Sequence, residues 1–176
     1  RYRRGDMEGI VNGIDTEVWN PLKDMHLAKN YDMRTWYSGK LSNKLALQKE
    51  LGLAERRDVC MMGIVSRLTG QKGIDLLARK LPEIMEMDAQ LVILGTGEKA
   101  AEDTFKWLEA TYKGKAVYYC GYNEDLAHRI YAGCDLFLMP SRYEPCGLGQ
   151  LIAMHYGALP FVRETGGLKD TVHPYN

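Results

Sequence analysis

Three charged side chains stand in loops, where a ligand can meet them. Arg67 and Lys72 share the stretch Ser66-Arg67-Leu68-Thr69-Gly70-Gln71-Lys72-Gly73. A guanidinium fork and a lysine point charge together suit a diphosphate, and ordinary solvated surface charge is the alternative. No acidic residue inside the loop pairs with either cation, which favours the ligand. Glu144 stands in Met139-Pro140-Ser141-Arg142-Tyr143-Glu144-Pro145-Cys146-Gly147-Leu148-Gly149-Gln150, after the apolar run Asp135–Met139. Pro145 and two glycines leave several N–H groups free where the next helix begins, and such a terminus attracts anions. A carboxylate beside it would repel phosphate, so Glu144 is expected to accept hydrogen bonds from hydroxyls elsewhere on the same ligand. A molecule with both a phosphate and a polyhydroxyl group is the simplest reading.

Smaller signals point the same way. Tyr122 follows Gly121 at a strand end, where an aromatic has little core to fill; a platform for a planar base competes with plain surface packing. Thr165-Gly166-Gly167 offers another set of backbone N–H groups, or a plain turn. Gly95-Thr96-Gly97-Glu98 starts like a dinucleotide fingerprint, but position 100 is Ala and no acidic residue closes the following strand, so an NAD-dependent dehydrogenase fits poorly. His26, His128 and His173 carry no metal spacing, and His155 at an apolar helical position reads as a core histidine. No nucleophile elbow or paired hydrolase carboxylates are present.

The elements that must hold these loops alternate. Strands are expected at Val59–Val65, Leu91–Leu94, Val117–Cys120, Asp135–Met139 and Ala158–Val162. Between them, helical spacing is marked by Ile74/Leu77/Ala78/Leu81, Ala101/Phe105/Leu108/Tyr112, Ala127/Ile130/Tyr131/Cys134 and Leu148/Leu151/Ile152/His155. Alternation of this kind predicts a mainly parallel sheet covered on both faces. Each strand ends in a glycine-bearing loop, and in parallel sheets ligands bind beyond the strands' carboxyl ends, so all five loops should meet on one edge. Upstream, Gly9-Ile10-Val11 reads as a short strand, Asn12-Gly13-Ile14-Asp15 as a turn, and Asn43–Leu51 as a helix stopped by Gly52.

Composition bounds the rest. The 176 residues are 45% hydrophobic and 26% charged, which suits one domain with a full core. Lys+Arg and Asp+Glu balance at 23 each, arguing against a general nucleic-acid or anionic-membrane surface. No apolar run has the length of a membrane span, and Arg-Tyr-Arg-Arg-Gly is not a signal peptide. Cys60, Cys120, Cys134 and Cys146 form no C-x-x-C pair and read as buried free thiols in a reducing compartment. Starting at Arg and stopping just after a new element begins, the chain is expected to be a fragment, with the basic and polar residues 1–9 the tail of an earlier segment.

Together these loops resemble the bacterial glycogen synthase and plant starch synthase family of retaining glucosyltransferases. The matching segments are Asn12–Asp15 with Trp19-Asn20-Pro21, Ser66–Gly73, Gly121-Tyr122, Pro140–Gln150 and Arg163–Leu168, in the family's order and over nearly the whole chain. The resemblance implies the Rossmann-like, donor-binding, C-terminal half of a glycosyltransferase-B fold, with residues 1–10 the interdomain hinge or end of the N-terminal domain and 11–176 the nucleotide-sugar-binding domain, truncated at its C-terminus. It implies action on ADP-glucose in the cytoplasm (or plastid) to extend an α-1,4-glucan held through a missing N-terminal domain. It implies that Arg67 and Lys72 hold the diphosphate, Glu144 binds glucosyl hydroxyls, and Cys146 and Gly147 line the sugar pocket. Leu148 and Gly149 would complete that turn, Gly121 and Tyr122 would meet the adenine, and Thr165, Gly166 and Gly167 would lie near the phosphates. No metal or other cofactor is implied, nor a nucleic-acid or membrane partner. Two departures stand out: Gly149 replaces a Thr or Val common in members, and Ile152 stands where plant starch synthases carry a second Glu, a change shared with many bacterial members. A UDP-glucose-dependent enzyme and a non-catalytic nucleotide-binding module are the competing readings.

Overall fold

The structure of the chain is a computed structural model, described over residues 9–174. The five expected strands are all present: β1 Cys60–Val65, β2 Ala89–Gly95, β3 Ala116–Cys120, β4 Leu136–Met139 and β5 Leu159–Val162. Every pairing is parallel, and the spatial order is β3-β2-β1-β4-β5. The strand order therefore reverses between β1 and β4, the place where open parallel sheets bind ligands. The ladders there are unequal. Six residues of β1 pair with β2, whereas the β1–β4 ladder runs only through Met62–Leu136 and Gly63–Phe137. Beyond Gly63 the two strands lose their pairing and leave a crevice.

Helices α2 Ile74–Glu86, α3 Lys99–Thr111, α4 Glu124–Gly133 and α5 Gly149–His155 join successive strands, with α1 Trp36–Leu51 ahead of β1 and α6 Gly166–Thr171 after β5. Because successive strand side chains point to opposite faces, Met61, Val92, Leu94 and Phe137 fall in one core with α4, α5 and part of α1. Met62, Ile64, Leu91, Ile93 and Leu138 fall in the other, with α2 and α3. Burial on both faces explains why Leu91–Leu94 of β2 read as an unbroken apolar run. None of the described helices is long and apolar enough to cross a membrane.

Four expectations change. Gly9-Ile10-Val11 is not a strand; Ile10 and Val11 are exposed and join no ladder of the sheet. The first helix starts at Trp36, about two turns before Asn43. Its buried side is Gly39, Lys40, Asn43, Lys44, Leu47 and Gln48, so an apolar stripe could not reveal it. Lys40 Nζ donates to the carbonyls of Tyr131, Ala132 and Tyr156 at 3.1–3.3 Å, and Lys44 Nζ lies 2.6 Å from Asp135. His155 is exposed, because α5 ends there and turns it outward. Of the four thiols only Cys134 is fully buried, and Cys120 is exposed. Residues 1–8 of the expected hinge lie outside the described residues.

Candidate functional site

The crevice between β1 and β4 is a hollow of about 250 Å³. Its floor is made by the diverging strand ends Ile64, Val65, Leu138 and Met139, and its rim by Arg67, Lys72, Ser141, Glu144, Gly147, Leu148 and Gly149. The two cations and the carboxylate, 72 residues apart in sequence for Lys72 and Glu144, thus share one wall-to-wall space. Lys72 Nζ lies 2.5 Å from Glu144 Oε2, and Ser141 Oγ lies 3.4 Å from the same oxygen. Their side chains are only 19% and 9% exposed, so little water screens them. Across the turn, the first N–H to find a backbone carbonyl is that of Ile152, bonded to Leu148 at 2.9 Å. The amides of Leu148 and Gly149 ahead of it make no backbone bond and border the crevice. Since α5 is only seven residues long, these bare donors rather than a long helix dipole make the spot anion-friendly.

Tight loop-to-loop contacts fix this geometry. Lys72 ends a 3-10 turn, Gly70–Lys72, and Gly73 after it has φ +69°, with the space for a Cβ taken by the Pro140 carbonyl. Arg142 N–H donates to Gln71 O at 2.9 Å, and Gln71 Nε2 donates to Tyr143 O at 3.2 Å. The Arg142 guanidinium forks onto Asp75 and also reaches Gly70 O at 3.2 Å. That fork holds the Asp75 carboxyl below the usual range. From the other side, Gly167 N–H donates to Glu144 O at 3.0 Å, and a Cβ on Gly167 would collide with the Cys146 carbonyl. Only a bare backbone can come so close.

A second hollow of about 260 Å³ adjoins the first, sharing Val65, Ser66 and Arg67. Gly95, Thr96, Gly121, Tyr122 and Asn123 complete it, so the loops after β1, β2 and β3 all contribute. Tyr122 is 84% exposed, an aromatic ring standing free at the lip. The Gly95-Thr96-Gly97 turn is closed to a phosphate by α3's own Glu102, which accepts from Thr96 Oγ1 at 2.6 Å and Gly97 N–H at 3.0 Å.

The remaining candidates sit behind the crevice. Thr165 donates to Arg142 O at 3.3 Å, and Gly166 and Gly167 brace Glu144 and Cys146 from the rear. Cys146 is not part of the crevice lining; its Sγ receives the Asn12 N–H at 3.2 Å, tying the Asn12-Gly13 turn to the loop. Sequence reasoning missed Ser141 and Ser66, each just past a strand end. It also missed the Arg142–Asp75 fork, which only the β1–β4 adjacency reveals. Among the described residues no group of three His, Cys, Asp or Glu is arranged to hold a metal.

Also missed was a buried polar cluster on the α4–α5 side. Asp24 Oδ2 lies 2.7 Å from His128 Nδ1 and accepts from Tyr156 OH at 2.5 Å, while Trp19 stacks on His128 at 4.0 Å. Tyr31 OH adds a bond to Tyr156 O at 2.7 Å. Burial works against the Asp24 charge, but the bonds from His128 and Tyr156 prevail and hold its carboxyl below the ordinary range. Burial, and then Asp24, push the Tyr156 hydroxyl upward.

The sequence matches the family Glycosyl transferases group 1 over residues 59–175. It is 55% identical to a glycogen synthase of Exiguobacterium sibiricum and 54% identical to one of Clostridium perfringens, in each case over all of this chain and 36% of the relative. The chain thus spans about a third of the length of the relatives it matches. Among solved structures, the catalytic domain of starch synthase IV from Arabidopsis thaliana, bound to ADP and acarbose, superposes with a TM-score of 0.90 at 39% identity, covering 98% of this chain and 36% of that one. The crevice at the strand-order reversal, the parallel sheet and these likenesses agree: the fold is the Rossmann-like half of a glycosyltransferase-B architecture, and the chain belongs to the group 1 glycosyl transferases.

Proposed function

We propose that this chain is the donor-binding half of a retaining glucosyltransferase of the glycogen synthase type, taking ADP-glucose for transfer of glucose to the non-reducing end of an α-1,4-glucan. The observation that carries this reading is the shared crevice of Arg67, Lys72 and Glu144. Two cations suit a diphosphate, and one nearly buried carboxylate suits hydroxyl donors. In the proposal Arg67 and Lys72 hold the diphosphate and neutralise charge growing on it as the glucosyl bond breaks. The amides of Gly147, Leu148 and Gly149 add donors, and Glu144 grips the sugar. Gly121 lets the base approach Tyr122, whose free ring stacks on it. Cys146 acts through the Asn12 contact, while Thr165, Gly166 and Gly167 position Glu144 from behind. No metal or further cofactor is assigned a role.

Adenine as the base is supported by the starch synthase bound to ADP. Residues 11–176 would form the donor domain, and the glucan would be held by a partner domain found in the longer relatives. The cytoplasm is the proposed compartment. Calorimetric titration of ADP-glucose and UDP-glucose into the chain tests the reading: saturable binding that favours ADP-glucose is expected. Preference for UDP-glucose would move the chain to another glucosyltransferase, and binding of nucleotide with no contribution from the sugar would make it a nucleotide-binding module. Because the chain covers 36% of its relatives, it is expected to bind donor but not to extend a glucan alone; incorporation of labelled glucose by this chain would contradict that.

A further inference from the structure

Within the crevice the lysine and the carboxylate hold each other: Lys72 Nζ is 2.5 Å from Glu144 Oε2, with both side chains largely out of water. A phosphate that takes Lys72 therefore has to win it from Glu144. We propose that Lys72 and Glu144 form an exchangeable pair, which makes the site favour an intact sugar nucleotide over the nucleoside diphosphate alone. This rests on the donor reading above and concerns how that site discriminates.

When phosphate oxygens draw Lys72 away, Glu144 keeps only the Ser141 hydroxyl, at 3.4 Å. At 9% side-chain exposure it has little water to replace its cation, and a buried carboxylate without partners is strongly unfavourable. Hydroxyls of a sugar joined to the same diphosphate supply new donors at that moment. A bare diphosphate supplies none, so the Glu144 carboxylate competes with it for Lys72. The loops that carry the pair are pinned, Gly73 against Pro140, Arg142 against Gln71 and Gly167 against Glu144, so the exchange is carried by the two side chains. The nucleoside diphosphate left after the sugar departs is then displaced as Glu144 recovers its lysine. Discrimination between donor and spent donor is thus built into two side chains.

Glu144→Gln keeps the shape and removes the charge. We would titrate ADP and ADP-glucose into the native chain, E144Q, Lys72→Gln and the double variant, with UDP and UDP-glucose as comparators. ADP should bind about fivefold more tightly to E144Q while ADP-glucose binds at least about tenfold more weakly. The gain for ADP should vanish on the Lys72→Gln background, since the effect runs through that lysine. Unchanged or weaker ADP binding by E144Q overturns the exchange, as does a gain that persists without Lys72, which would reduce it to simple charge repulsion. Should Lys72→Gln fail to fold, repeating the E144Q titration at high salt separates the same two cases: a contact pair keeps its effect, and longer-range repulsion fades. A native chain that binds sugar nucleotides while E144Q shifts both ligands alike removes only this inference. One that binds neither ADP-glucose nor UDP-glucose removes the donor reading and this inference with it.

Discussion

The crevice and the Asp24 cluster both gather charge in a protected place, yet they are built on opposite plans. Asp24, His128, Tyr156, Tyr31 and Trp19 come from distant parts of the chain and are closed around one another. The Asp24 and His128 side chains are 1% and 2% exposed. The crevice groups sit at the rim of a hollow, and their protein partners are few. Arg67 is exposed, and Lys72 and Glu144 chiefly have each other. A closed cluster fixes the fold, and a sparsely paired one can trade its partners for a ligand. Satisfaction, more than charge itself, separates a structural site from a binding one.

Breaking the closed cluster should have the largest effect, and on stability. Asp24→Ala strands His128 and Tyr156 in the core and is expected to lower unfolding free energy by about 3–5 kcal/mol in urea titrations; a loss below about 1 kcal/mol would mean that the cluster holds nothing together. The same carboxylate gives the contrast a pH signature. Its folded pKa lies below the unfolded value, so its contribution is complete at neutral pH and is lost as pH falls through the folded pKa. Native chain should weaken on acidification, and Asp24→Asn should weaken less steeply.

Opening the sparsely paired site should do the reverse. Arg67→Ala is expected to leave the melting temperature nearly unchanged while weakening ADP binding about tenfold or more. A large loss of stability with intact binding would invert the comparison. Smaller again, Tyr122→Ala should weaken adenine nucleotides about fivefold through lost stacking and leave inorganic diphosphate unaffected. Smallest, thiol labelling should rank the environments without touching function. Exposed Cys120 should react first, and Cys134, whose thiol burial pushes up to about 12, only on unfolding.

These two regions were unequally legible. The crevice follows from local rules: apolar runs give strands, glycines after them give turns, and parallel order puts the turns on one edge. Arg67 and Lys72 could be picked out because their loop offered them no acidic partner, and Glu144 because it stands beside free amides where a helix begins. The cluster obeys no local rule. Asp24 and His128 are 104 residues apart, and neither sits in a pattern that marks it. The start of α1 was hidden for a related reason, since its inward side chains Lys40, Asn43, Lys44 and Gln48 are polar and find carbonyls or carboxylates of other segments. His155 misled in the opposite sense, its spacing matching a face that the helix no longer has. Periodicity reports where apolar surface goes, and it is silent when polar groups are buried by mutual satisfaction.

Everything proposed for the crevice requires a sugar diphosphate to sit in the gap between β1 and β4, and a crystal of this chain soaked with ADP-glucose shows whether it does. Phosphate density is expected within hydrogen-bonding reach of both Arg67 and Lys72, with the adenine over Tyr122 and Lys72 drawn off Glu144. Density on another face of the sheet, or phosphates that leave Arg67 and Lys72 untouched, would contradict it.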